Sequence, residues 1–251
     1  MSSVRLAATA CLAALAFPVA AQTAAPPEYP NLIGPAVRSR PAYDGSKSQV
    51  ADLVPILDYD SSLLFARTVQ GVLEGGVHTQ VGSGFTIGAQ LAYEEGRKAS
   101  ESRLLRERNV ADLGVGASYG VHLEWEMKLG PAPVLLLARV RQQARSDRGA
   151  QADLRATVGV YKNGPVQAGI FGQATWADDK SMRTYYGQPG FDASGGLLFA
   201  SAGLFGSYDI DPRWAVIASI EGRRLQGDAA RSPLAERKSS YDAVAGLAYR
   251  F

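Results

Sequence analysis

The sequence is poor in the residues that a disulfide scaffold, a zinc framework or a haem site requires. Its 251 residues hold one cysteine and two histidines, too few to staple a small fold or complete a metal-ligand set. Neither sign of charge is in surplus, with 26 Lys+Arg against 24 Asp+Glu. That balance excludes a strongly basic nucleic-acid binder and an acidic tail protein. No phosphate loop or metal-spaced cluster occurs, so no catalytic, cofactor-binding or metal-binding residue is assigned. Beyond residue 21 no apolar run is long enough to span a bilayer as a helix.

What is present favours strands and turns. Glycine is frequent at 27 and tyrosine at 11; glycine weakens helix interiors and tyrosine suits a pleated surface. Residues 1–21 read as a secretory signal peptide. Arg5 supplies a short basic start, Leu6 to Phe17 an apolar stretch, and Val19-Ala20-Ala21 the small residues of a cleavage site. Cleavage there removes Cys11, so the exported chain has no thiol.

After the leader the chain alternates with period two. In the clearest case, Val115, Ala117, Tyr119, Val121, Leu123, Trp125, Met127 and Leu129 share one face. Gly116, Ser118, Gly120, His122, Glu124, Glu126 and Lys128 share the other. A helical period of 3.6 would scramble these two sets. Ten such segments are expected, near 50–58, 63–73, 84–94, 114–129, 132–144, 151–161, 165–177, 196–208, 213–225 and 239–251, with a weak further one at 31–38.

Alternation fits a soluble sandwich with its apolar face inward or a membrane barrel with that face outward. The chain end favours the second. Tyr241, Ala243, Ala245, Leu247, Tyr249 and Phe251 form one apolar stripe with aromatics at both ends, the girdle pattern of an outer-membrane barrel. Trp125, Trp176 and Trp214 read as belt residues of the same kind. Tyr249 and the terminal Phe251 resemble the signal through which barrel-assembly machinery takes up outer-membrane proteins. The expected fold is a closed antiparallel transmembrane β-barrel of ten strands over 50–251, with twelve as the alternative, preceded by a periplasmic or first-strand segment at 22–49. Outer-membrane lipid is its expected surroundings, and no nucleic acid its partner.

Short links at 130–131, 162–165 and 210–212 alternate with long ones at 97–111, 177–194 and 226–238, as periplasmic turns alternate with external loops. The faces opposite the apolar stripes carry both signs of charge: Glu124, Glu126, Arg139, Arg141, Asp153, Arg155, Glu221 and Arg223. Single-sign rings would argue for a selective channel. Mixed signs argue for inward-pointing ion pairs that fill a narrow barrel, with a lining for a small solute as the alternative. His122 beside Glu124 reads as part of that network, and a Ser-His-Glu hydrolase has no evident assembly.

The loops carry a family resemblance. Arg224-Leu225-Gln226-Gly227-Asp228-Ala229-Ala230-Arg231-Ser232-Pro233-Leu234 is similar to the signature of the MipA/OmpV outer-membrane barrels. Pro41 to Ser46, Tyr93-Glu94-Glu95-Gly96-Arg97, Tyr185-Tyr186-Gly187 and Tyr249-Arg250-Phe251 support it in order and spacing. Physically, Gly227-Asp228 and Ser232-Pro233 are turn formers able to staple a loop at the barrel mouth. The resemblance implies a non-enzymatic scaffold that links a lytic transglycosylase to a murein synthase, with a permeability role as the alternative. A scaffold needs periplasmic surface. The segment 22–49, with Arg38, Arg40, Tyr43 and Lys47, is the expected place for it because the turns are so short.

Overall fold

A computed structural model of the chain describes residues 31–69 and 72–251. The expected leader at 1–21 lies outside the described residues. Twelve strands form one antiparallel ring: β1 (Leu32–Pro41), β2 (Gln49–Asp60), β3 (Leu64–Val69), β4 (Val72–Gln80), β5 (Phe85–Glu94), β6 (Gly116–Leu129), β7 (Ala132–Gln143), β8 (Ala150–Asn163), β9 (Val166–Ala177), β10 (Gly196–Asp209), β11 (Trp214–Leu225) and β12 (Ser239–Arg250). Each strand pairs with the next, and β12 returns to β1. A closed ring leaves no free sheet edge, which is what a bilayer demands of a β-structure.

The number twelve corrects the preferred ten. The barrel wall begins at Leu32, so residues 32–41 of the segment expected to precede it at 22–49 belong to it. The other additional strand comes from the expected segment 63–73, which is a six-residue β3 followed by β4. β4 escapes a search for alternation because its outward set is Leu73, Gly75, Val77 and Thr79, only two of them large and apolar. β3 reaches β2 through only three pairs, from Asp58↔Arg67 to Asp60↔Phe65. The β1–β12 ladder runs in one register but is interrupted: Ile33↔Tyr249 is followed by Ala36↔Gly246, passing over Gly34 and Pro35.

Side chains sort as the pleat requires. Val37, Leu53, Leu91, Val121, Leu154, Leu204 and Val216 stand exposed on the outer face, the face that lipid covers. Phe85 stacks on Trp125 with ring centroids 5.1 Å apart, and Trp214 meets Tyr249 edge-on at 5.1 Å, near the short-turn rim. Tyr93, Tyr119, Trp176 and Tyr241 stand exposed toward the other rim. Two aromatic girdles therefore bracket the apolar band. The links 95–115, 178–195 and 226–238 all leave from one end, together with 42–48 and 144–149. The links 61–63, 81–84, 130–131, 164–165 and 210–213 lie at the other. By the usual polarity of such barrels the short turns face the periplasm, and the long-link end is called the mouth below.

Candidate functional site at the barrel mouth

The middle of the lumen is crossed by a buried polar belt. Glu74 on β4 accepts from Arg67 Nε at 2.7 Å and from Arg139 Nη1 at 2.6 Å. Arg139 in turn reaches Asp153 at 2.9 Å, and Thr175 donates to the same carboxylate at 2.7 Å. Gln90 donates to Glu74 at 3.1 Å, so its oxygen faces His122 Nδ1 at 3.0 Å and that nitrogen must carry the proton. Glu74 and Asp153 are 3% and 2% exposed. Removing one member of such a pair costs about 3–5 kcal/mol, because its partner is left charged and dry. Below the belt, Phe171 lies against Gly203, where an added Cβ would stand 2.5 Å from the ring. Arg155 covers the other side of that ring, 3.8 Å from its centroid.

Above the belt the long links fold inward as a cap. α1 (Asp179–Tyr186) starts where Asp178 Oδ1 accepts from the Ser181 amide at 2.8 Å, an N-cap. Met182 and Tyr186, four residues apart and so on one helical face, pack with Leu198, Phe199, Leu225 and Ala229. The 226–238 link is bonded to its neighbours at several points. Asp228 accepts from the Ser194 amide at 2.8 Å and pairs with Arg231. Ser232 Oγ donates to the Tyr186 carbonyl at 2.7 Å and accepts from the Leu234 amide at 3.1 Å. Tyr43 donates to the Leu234 carbonyl at 2.8 Å, and Arg237 to the Gly45 carbonyl at 3.0 Å. The amide of Ser194 holds the Asp228 carboxyl below the usual range, and complete burial pushes the Tyr186 phenol well up.

Between cap and belt lies a cavity of about 240 Å³. Six arginines line it: Arg38, Arg40, Arg97, Arg139, Arg141 and Arg223. Five have a carboxylate at hand: Arg38 and Arg40 share Asp52, Arg139 takes Glu74, Arg141 takes Glu94 and Arg223 takes Asp44. Glu95 also pairs with Arg38. The sixth, Arg97, is 5% exposed and has no ion pair among the described residues. It lies on the 95–115 link, where its backbone pairs with Leu113 in both directions at 2.8 Å. Among the described residues its one side-chain hydrogen bond runs from Nη1 to the Tyr185 carbonyl at 2.6 Å, and its Nε has no partner. Burial lowers the affinity of this guanidinium for its proton, the expected response of a cation without a counter-charge.

The family model described as "MltA-interacting protein MipA" matches residues 33–251. The chain belongs to the MipA family. No curated protein matches it. Among solved structures it is similar to the COG4313 outer membrane channel from Pseudomonas putida F1, at 13% identity and TM-score 0.46, with 88% of this chain and 96% of that one covered. It is also similar to LpxR from Salmonella typhimurium, at 7% identity and TM-score 0.48, with 87% and 100% covered. The NanC porin matches at 8% identity and TM-score 0.43, with 88% and 100% covered.

In this MipA-family barrel the residues singled out from sequence fall in three places. Arg139, Arg141 and Asp153 meet in the belt, where Arg141 approaches Asp153 at 3.4 Å, and Glu124 pairs with Arg67 at 2.9 Å. Arg223 and Glu221 lie 3.4 Å apart near the mouth. Arg155 finds Gln173 at 3.4 Å and, among the described residues, no carboxylate within ion-pair distance. Glu126, expected to pair, is exposed near the periplasmic rim with no ion pair among the described residues, because the nearby charges are the carboxylates Glu124 and Asp60. Of the motif loop, Leu225, Asp228 and Ser232 staple the cap and Gly227 turns it at φ +49°. Arg224 and Pro233 are exposed and take no part in those bonds. Tyr249 meets Trp214 in the periplasmic girdle, and the Phe251 amide donates to the Asn31 carbonyl at 3.1 Å.

Several central residues were not singled out beforehand. Glu74 was missed with its strand. Arg67, Glu94 and Asp52 carry no signal beyond their inward parity. Arg38, Arg40, Tyr43 and Lys47, expected on periplasmic surface, lie instead in the wall and at the mouth. The reason is the number of strands: with β1 rising from the periplasmic end, 42–48 must lie at the opposite end.

Proposed function

We propose that this protein is a sealed, non-enzymatic barrel in the outer membrane of a Gram-negative-type bacterium. It serves as a membrane anchor for a lytic transglycosylase, with a murein synthase as the second partner. The observation that carries the sealed, non-enzymatic reading is the buried belt of Arg67, Glu74, Arg139 and Asp153, which spends its charges on one another across the lumen. Neither imidazole meets a hydroxyl among the described residues: His122 bonds Gln90, and His78 Nε2 bonds the Ser61 carbonyl at 2.7 Å. The partner reading draws on the family's description as MltA-interacting.

The partner surface has to differ from the one expected. Residues 32–41 are barrel wall and 42–48 sit at the mouth, so this part of the expected 22–49 platform does not face the periplasm. A specific interface needs about 800 Å² on each side. Among the described residues, the turns at 61–63, 81–84, 130–131, 164–165 and 210–213 supply it jointly. Tyr249 and Phe251, on the same rim, serve barrel assembly.

Planar-bilayer recording of the purified barrel tests the seal: a silent baseline is expected, and steady conductance would overturn it in favour of the permeability role. Capture of a purified lytic transglycosylase by the barrel, compared with a variant whose 61–63, 164–165 and 210–213 turns are replaced by Gly-Ser sequences, tests the anchor. Equal capture by both folded proteins would place the partner elsewhere, and no capture by the native barrel would remove the anchoring role.

A further inference from the structure

The Arg97 cavity calls for a ligand of its own. Burying a guanidinium without a counter-charge is unfavourable, and the other five arginines around this space all avoid it by pairing. Arg97 also sits in a held position: the Leu113 bridge fixes its backbone and the Tyr185 carbonyl fixes Nη1. A guanidinium offers a planar fork along the edge that carries Nε and Nη2, which matches the two oxygens of a carboxylate. With Nη1 engaged and Nε donating to nothing, that edge is the unused one. Tyr43, 6.0 Å from the guanidinium carbon at its ring centroid, stands over the group, and Tyr185, Tyr186 and Phe199 add further rings to the lining.

We propose that the cavity beneath the cap is a binding site for a small, hydroxylated monocarboxylate of the sugar-acid class, seated on Arg97. The single unpaired cation sets the charge at one. Glu94, Glu95, Asp44 and Asp242 line the same space, and these carboxyl groups disfavour a dianion. Gln151 and Ser181 offer polar contacts for hydroxyl groups, and the tyrosine rings offer faces for the C–H side of a polyol. The site lies at the mouth end of the barrel, away from the periplasmic turns, so it does not rest on the anchoring role and survives the loss of that role.

The test uses the full barrel in detergent and isothermal titration with three probes: gluconate, glucose as its neutral counterpart, and inorganic phosphate. Gluconate is expected to bind, glucose not, and phosphate more weakly than gluconate. Arg97→Gln should weaken gluconate by roughly 10- to 150-fold, the range for losing hydrogen bonds to a charged group. Arg103→Gln, which alters a solvent-exposed arginine paired with Glu107, should leave binding unchanged. Equal binding of gluconate and glucose, binding of neither, or full affinity in a folded Arg97→Gln would overturn the site. Tighter binding of phosphate would overturn the carboxylate class. If Arg97→Gln does not fold, Arg97→Lys keeps the charge without the fork and should still lose most of the gluconate affinity, whereas undiminished affinity would overturn the role of the fork. The gluconate–glucose difference on the unaltered barrel decides the matter without any variant.

Discussion

At the mouth, Ser232 is bonded to Tyr186, Asp228 to Ser194 and Tyr43 to Leu234, so the closing contacts join links up to 191 residues apart in sequence. At the periplasmic rim, Asp211 Oδ1 accepts from the amides of Arg213 and Trp214 at 2.7 and 2.8 Å, and Ser61 Oγ from the Leu64 amide at 2.9 Å. These side-chain bonds stay within a single turn. One end of the ring is thus a small tertiary core mounted on a barrel, and the other is a row of short hairpin turns tied only to adjacent strands. The difference teaches where damage spreads: a change at the mouth should be felt by several links, a change at the rim by one.

The largest effect should come from Leu234→Ala, which empties a fully buried position in the cap. A loss of about 2–5 kcal/mol is expected, confined to the cap. Limited proteolysis should open 178–195 and 226–238 together, while the heat-modifiable barrel band persists. Cleavage of 226–238 alone would break the picture of one shared core. Asp211→Ala at the rim should cost about 1 kcal/mol and raise amide exchange only around residues 210–214, with the mouth unchanged. The smallest effect is acidification. The Asp228 carboxyl is held below its usual range by the Ser194 amide first and by Arg231. Its contribution is present above the unfolded value near pH 4 and is lost as pH falls further, through the lower folded value. Protease sensitivity of the mouth should therefore rise below about pH 4 while Asp228→Asn shows a flatter response. Identical profiles would take the carboxylate out of the cap.

The sequence is legible where the physics is local. β6 and β12 announce themselves because apolar residues occupy every second position on the lipid face, and nothing but a strand keeps that parity. β4 fails the same test because Gly75 and Thr79 take two of its four outward places. With β4 hidden, Glu74 was hidden too, and with it the centre of the belt. The facing of Arg139 and Asp153 follows from a single hairpin and could be read in advance. The cap could not, although Asp178-Asp179-Lys180-Ser181 carries an N-cap signal for α1. The partners of Ser232 and Arg97 come from links 46 and 88 residues away, and no local pattern records them. Miscounting strands also moved a whole segment: one unseen strand sends 42–48 from the mouth to the periplasm.

The interrupted ladder between β1 and β12 has a consequence for how the ring is made. Eleven of the twelve neighbour pairs are consecutive in the chain and can zip as each new strand is added. The twelfth joins Leu32 to Arg250, and its contacts have the highest sequence separation in the molecule, so it forms last. The entropic toll of so long a closure is modest, about 0.6 kcal/mol for each doubling of the loop. Pro35 brings no amide hydrogen to that joint, and two rungs are missing beside it. The cylinder therefore has a natural slit: the line along which it is completed is also the line along which it is least firmly laced, and amide protons of Ile33 and Val37, which face β12, should exchange ahead of those in β8 and β9.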